Sequence, residues 1–230
     1  MNKQAIMLFG QPGAGKGTQA NLLSDKLGYY HFESSKILEV CFKNEDPEKV
    51  YEIEGKEYKL SDEINNWKTG LLVSPPFVFF LFAEKIKELA RENESIVFSG
   101  SPRTVYEAER FIPLLEQLYG KDNLRFVLLE VKPETTIYRN SHRKICDLMR
   151  HTILFTPETE NLEKCPLDGS DLVKRKDLDD VETIKKRLEV FKAETFPVID
   201  SVEKQGIKIN KVSGEGSVSD VFIGILEAIK

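Results

Sequence analysis

The sequence lacks most features that would tie it to a membrane or to an oxidising compartment. It has only three cysteines in 230 residues, Cys41, Cys146 and Cys165. An odd count this low gives no disulfide framework and fits a reducing cytoplasm. The longest apolar run, 77–83, falls far short of the ~20 residues a membrane helix needs. No basic-then-apolar leader precedes Gly10, so no signal peptide is expected. Neither charge sign dominates: 33 Lys and Arg against 38 Asp and Glu leave a net charge of -5. Bulk charge therefore draws the chain to neither nucleic acid nor membrane, and neither is expected as a partner. No internal repeat or low-complexity tract breaks the pattern.

What is present begins with Gly10-Gln11-Pro12-Gly13-Ala14-Gly15-Lys16-Gly17-Thr18. An apolar run, Ala5-Ile6-Met7-Leu8-Phe9, precedes it, and a helical pattern follows. Strand, glycine loop and helix are the parts of a phosphate cradle. Glycines let N–H groups converge on an anion, and the new helix adds its unpaired N–H groups and positive dipole end. Lys16 supplies a point charge for the β and γ phosphates. Gly17 follows the lysine, so the hydroxyl arrives one residue late, at Thr18.

Along the rest of the chain, strand-like runs at 5–9, 29–32, 95–99, 124–131 and 208–212 alternate with helical patterns. The helices are expected at 15–27, 75–93, 105–119, 133–144, 181–204 and 217–229. This alternation predicts an α/β fold, a five-stranded parallel sheet with helices on both faces. Ligands of such sheets sit at the carboxyl ends of the strands. Two segments break the rhythm. The segment 33–74 starts helical and turns charged and irregular over 44–59, which reads as a solvated loop or hairpin. The segment 146–180 has no clear period. Long irregular stretches inside a domain are commonly functional lids.

Phosphoryl transfer rests on charge neutralisation and alignment, and arginines gather around these segments. Arg103 stands just past a strand end, Arg139 and Arg143 are four apart on one helix face, and Arg175 and Arg187 follow the second irregular segment.

In this arrangement the chain resembles the adenylate kinase family of nucleoside monophosphate kinases over nearly its whole length. The glycine loop matches the family's phosphate loop, late hydroxyl included. Gly100-Ser101-Pro102-Arg103-Thr104 is similar to its Asp-Gly-Phe-Pro-Arg-Thr signature. Arg175-Lys176-Asp177 through Arg187 resembles the lid exit, and Tyr138-Arg139 with Arg143 the lid entrance. The resemblance implies a core of 1–32, 75–143 and 179–230, an acceptor domain of 33–74 and a lid of 144–178. It implies reversible transfer of phosphate from Mg²⁺-ATP to a nucleoside monophosphate, AMP first, in a cytoplasmic monomer. Lys16, Arg103, Arg143, Arg175 and Arg187 would be catalytic. Gly13, Ala14, Gly15, Lys16, Gly17, Thr18, Arg139, Arg143 and Gly216 would bind ATP. Ser34, Lys36, Val73, Gly100, Arg103, Glu107, Arg175 and Arg187 would bind the monophosphate. A kinase for GMP, CMP or UMP, a nucleotide-binding module without catalysis, and an NTPase without an acceptor are the other readings.

Departures from the family pattern carry their own expectations. Glu39 occupies the place of an arginine on the acceptor phosphate and would repel it, while Lys36, where an aspartate is usual, is the candidate replacement cation. Glu107 replaces a base-reading glutamine and offers acceptors only when ionised, which favours acceptors other than AMP. Ser99 replaces the aspartate that orders the water shell of Mg²⁺. In the lid, Cys146, Cys165 and Asp168 match three of four zinc-ligand places, but Met149 stands at the fourth. This remnant leads us to expect no structural zinc; Cys146, His151, Cys165 and Asp168 are the set that would hold one.

Overall fold

A computed structural model describes residues 3–174 and 179–230. The chain begins with β1 (Ala5–Gly10), α1 (Lys16–Leu27), β2 (Tyr30–Phe32) and α2 (Ser34–Asn44). A hairpin of β3 (Val50–Ile53) and β4 (Lys56–Lys59) leads to α3 (Leu60–Lys68) and α4 (Pro75–Arg91). Next come β5 (Ile96–Phe98), α5 (Val105–Tyr119), β6 (Leu124–Glu130) and α6 (Pro133–His142). Short strands β7 (Lys144–Cys146), β8 (Thr152–Ile153) and β9 (Leu172–Val173) follow. The chain closes with α7 (Val181–Val190), α8 (Phe196–Lys204), β10 (Ile209–Ser213) and α9 (Val218–Ala228).

The main sheet is parallel, in the order β10-β6-β1-β5-β2. Side chains on a strand alternate between faces, and β1 shows why this sheet needs helices on both. Ala5, Met7 and Phe9 enter one core with Phe77, Phe82 and Phe111 of α4 and α5. Ile6 and Leu8 enter a second core with Ala20 and Leu23 of α1 and Val221 and Ile225 of α9. Every residue of β1 is buried, so the loop after Gly10 hangs from a strand packed on both faces.

The five expected strands and the two-sided sheet are present. The charged stretch 44–59 contains the hairpin β3–β4, held by Tyr51 opposite Tyr58, with Tyr51 edge-on to Phe77 of α4. The expected single helix over 181–204 is corrected: a π-helical segment, Phe191–Thr195, separates α7 from α8. Pro197 sits in the first turn of α8, where a missing N–H is tolerated. The aperiodic stretch after Arg143 forms an antiparallel sheet in the order β8-β7-β9, with its own small core of Cys146, Ile153 and Cys165. No described helix is long and apolar enough to cross a membrane.

Candidate active site

The loop between β1 and α1 is shaped by glycine. Gly13 has φ +88°, and a Cβ there would collide with the side-chain amide of Asn140. Gly15 has φ +92° at the N-cap of α1. Among the described residues, no side chain caps α1 and its first turn holds no acid. The unpaired N–H groups of that turn and the helix dipole are thus open to an anion. The Lys16 ammonium folds over the loop and donates to the carbonyls of Gly10 at 2.6 Å and Gln11 at 2.8 Å.

Above the loop lies a cleft of ≈ 600 Å³. Gly13, Ala14, Gly15, Lys16, Gly17 and Thr18 line it, as do Arg103, Arg139, Arg143, Arg187 and Gly216. Burial pushes the Lys16 ammonium down to about 7, and the charges of Arg103, Arg187 and Arg143 push the same way. Four cations drawn from the loop, the turn after β5, the end of α6 and α7 therefore act on one another. Such a gathering is unfavourable by itself and favourable around a polyanion.

Second contacts fix several of these arginines. Arg143 grips the buried Asp179 carboxylate through Nε at 3.3 Å and Nη2 at 2.5 Å, joining the end of α6 to the start of α7. Arg139 donates to the Gly214 carbonyl at 2.9 Å. Arg103 Nε donates to the Gly100 carbonyl at 2.5 Å. Arg175 lies outside the described residues.

The turn from β5 to α5 is locked by a reciprocal cap. Thr104 Oγ1 accepts the Glu107 N–H at 3.2 Å, and Glu107 Oε2 accepts the Arg103 N–H at 3.0 Å. Glu107 is only 2% exposed. Burial pushes its carboxyl up to about 7, against the pull of Arg103 and of the Thr104 and Ser101 hydroxyls. Together with Ser34, Val73 and Gly100 it lines a narrow cavity beside Arg103. Ser34 Oγ donates to Ser101 Oγ at 3.1 Å. Trp67 borders both spaces and meets Phe42 edge-on at 6.0 Å.

Lys36 is exposed on α2 and does not line the cleft. Its charge is felt at His31. Glu39, read as repelling an acceptor phosphate, is instead paired with Arg150, a cleft residue that sequence reasoning missed. Nothing in the spacing of the two signals the pairing. Ser99 was also read without its partner. His31 Nε2 meets Ser99 Oγ at 2.7 Å, and His31 Nδ1 meets Asn21 Oδ1 at 2.6 Å. The position of His31 one residue from the end of a strand was the available clue.

In the three-stranded sheet, ligand atoms of Cys146, His151, Cys165 and Asp168 all lie within 4.8 Å of one another. Arg150 adopts φ +60°, and the turn it makes brings the His151 N–H to Cys146 Sγ at 3.1 Å. Met149 is 62% exposed. Histidine, two residues on, takes the inward place.

A family model described as adenylate kinase matches residues 8–207. An adenylate kinase of Caldicellulosiruptor bescii is 33% identical over 227 residues, covering 97% of this chain and 98% of the relative. Adenylate kinases of Clostridium kluyveri and Clostridium botulinum are each 32% identical over 94% of both chains. The glycine loop, the converging cations and these matches agree: the chain belongs to the adenylate kinase family and is a nucleoside monophosphate kinase.

Proposed function

We propose that the protein passes the γ-phosphoryl group of ATP reversibly to AMP, giving two ADP. The observation that carries this reading is the convergence of Lys16, Arg103, Arg143 and Arg187 on one cleft at the glycine loop. In this reading an oxygen of the acceptor's phosphate attacks the γ phosphorus, and the bond from that phosphorus to the β–γ bridging oxygen breaks. The N–H groups of 13–18 hold the triphosphate, with Arg139 and Gly216 on the side of its nucleoside. Arg103 holds the acceptor phosphate, and Lys16, Arg143 and Arg187 neutralise the group in transfer. Arg175 is assigned the same task from the resemblance.

Thr18, Ser99 and Glu33 line the cleft, and their side chains carry oxygen, a hard donor that fits magnesium. When bound with the nucleotide, Mg²⁺ offsets phosphate charge and fixes its geometry. The segment 33–74 serves as the acceptor domain and 144–178 as a lid, the rest being core. Closure of both excludes water. On the acceptor side Lys36 does not line the cleft, whereas Arg103 and the Glu39-paired Arg150 do.

AMP is favoured by two considerations. The relatives are named adenylate kinases. Glu107, its carboxyl pushed up to about 7, carries a proton for part of the time near neutrality. The acid form offers a donor and an acceptor, as an amide does, so the replacement of glutamine does not argue against adenine. The four-donor set of Cys146, His151, Cys165 and Asp168 fits a tetrahedral zinc ion, and we assign it a structural one. A cytoplasmic monomer completes the reading.

A coupled assay for ADP, with ATP and each of AMP, GMP, CMP and UMP, tests the assignment. Fastest turnover is expected with AMP. Faster turnover with another monophosphate would move the specificity. Equal loss of ATP with no acceptor present would overturn phosphate transfer altogether.

A further inference from the structure

We propose that Glu33 is the residue that orders the water shell of the magnesium ion carried on the nucleotide. The proposal rests on the reading of the cleft as the ATP site, and begins from the register of two strands. In the parallel pair β2–β5, Phe32 lies opposite Phe98. The next residues, Glu33 and Ser99, therefore leave the sheet side by side at its carboxyl edge, with the Ser99 N–H toward the Phe32 carbonyl at 3.5 Å. Both line the cleft with Lys16 and Arg103.

Among the described residues lining the cleft, only Glu33 and Glu215 are carboxylates. Glu215 is occupied: one oxygen accepts the Lys132 N–H at 2.6 Å and the other the Thr135 hydroxyl at 2.9 Å. Glu33 stands at the N-cap of α2 but makes no side-chain capping bond. The one hydrogen bond described for its carboxylate comes from the Ser35 hydroxyl at 3.4 Å.

The neighbouring serine strengthens the argument. In the neutral His31 imidazole, the Asn21 carbonyl oxygen takes the Nδ1 proton, so Nε2 accepts the Ser99 hydroxyl proton. The donor of Ser99 is used up and its lone pairs remain. The strand edge thus offers acceptors alone, a carboxylate beside a serine oxygen, within a cleft otherwise rich in donors. Phosphate oxygens are repelled by such an edge. Hydrated magnesium, which keeps several of its waters and presents their protons outward, is matched by it.

The test measures binding, not turnover. Calorimetry compares the affinity of Mg²⁺-ATP with that of ATP in excess EDTA, for the wild type and Glu33→Gln. Loss of an outer-shell partner costs about 10- to 100-fold in metal affinity. Glu33→Gln is therefore expected to weaken Mg²⁺-ATP about tenfold and to leave metal-free ATP unchanged or tighter, since a repelling charge is gone. In Glu33→Gln with Ser99→Asp, a carboxylate one strand over should restore the preference for Mg²⁺-ATP. Equal weakening of both ligands would mark a structural role and overturn the proposal, as would no change in either. If the wild type binds neither form, the reading of the cleft itself fails, an outcome distinct from loss of the role of Glu33 alone.

Discussion

Arg150 and Glu39, 111 residues apart, join through two contacts, Nη1 to Oε2 at 2.7 Å and Nη2 to Oε1 at 3.1 Å. The bridge ties the turn after β7 to α2 and neutralises a carboxylate beside the proposed acceptor site. Removing either partner should loosen the approach of the two segments. Glu39→Gln and Arg150→Gln are each expected to raise the KM for the monophosphate about threefold, the double variant no more than either single one. The effect should shrink at 0.5 M salt, because partly exposed pairs are screened. Additive losses in a double-mutant cycle would show that the bridge is incidental.

Nucleotide binding should take up a proton. The Lys16 ammonium of the free protein loses its proton at about 7, whereas a polyphosphate beside it favours the charged form. Affinity for ATP is expected to fall as pH rises from 7 to 9. Calorimetry in buffers of different ionisation enthalpy should report uptake approaching one proton per nucleotide at the upper end. In the free protein the same group works in the other direction. The unfolded lysine keeps its proton to its ordinary value near 10.5, so the contribution of this group to stability rises with pH from about 7 to 10.5. Buffer-independent binding heats at pH 8.5 would refute the linkage.

Arg103→Ala should lower turnover by at least about a hundredfold, the scale of a lost donor to developing charge. The guanidinium is half-buried and oriented by the Gly100 carbonyl, so a lysine is expected to rescue little of the loss. Steady-state kinetics with AMP decide the point; turnover within tenfold of wild type would remove Arg103 from the chemistry.

The Glu107 carboxyl titrates near 7 when folded, against 4.5 ordinarily. The folded chain therefore holds an extra proton between those values. The stability this contributes is complete below 4.5 and is lost as pH rises through 7. Glu107→Gln keeps an acceptor for the Arg103 N–H and has nothing to titrate. Its Tm should change less between pH 5 and pH 8 than that of the wild type, as measured by calorimetry. Parallel Tm profiles would place the titration elsewhere.

Protein purified without chelator should carry about one zinc, and chelation should lower the Tm. Cys165→Ser should abolish the metal, whereas Met149→Leu should retain it, because Met149 faces solvent. Zinc in Met149→Leu and none in Cys165→Ser, by elemental analysis, is the expected pair of results. A metal-free wild type would leave Cys146 and Cys165 as apolar filling of a small sheet.

What the sequence displayed was local and periodic. Alternation along 5–9 sends neighbouring side chains into two cores, so a sheet covered on both faces could be read directly. The glycine loop could be read because φ near +90° at Gly13 and Gly15 restricts the choice of residue. The sheet built from β7, β8 and β9 was hidden, since strands of two or three residues have no period to detect. The contacts of Glu39 with Arg150 and of His31 with Ser99 were hidden for another reason: tertiary packing creates them, across 111 and 68 residues. Glu39 consequently looked like a misplaced charge when it is a paired one. The burial of Glu107 was hidden likewise, because it arises from the turn that the residue caps.

The π-helical segment Phe191–Thr195 sets the rotational phase of everything before it. One added residue turns a helix by about 100°. Val198, Ile199 and Val202 anchor α8 in the core, so any change of phase is expressed upstream, on α7. Returning the wide turn to α-helical pitch at unchanged chain length would swing the azimuth of Arg187 by roughly a quarter of a circle while the hydrophobic side of α8 stayed in place, whereas deleting one residue along with it would preserve that azimuth. The direction of that guanidinium is thereby encoded four residues away, in backbone pitch rather than in side-chain identity.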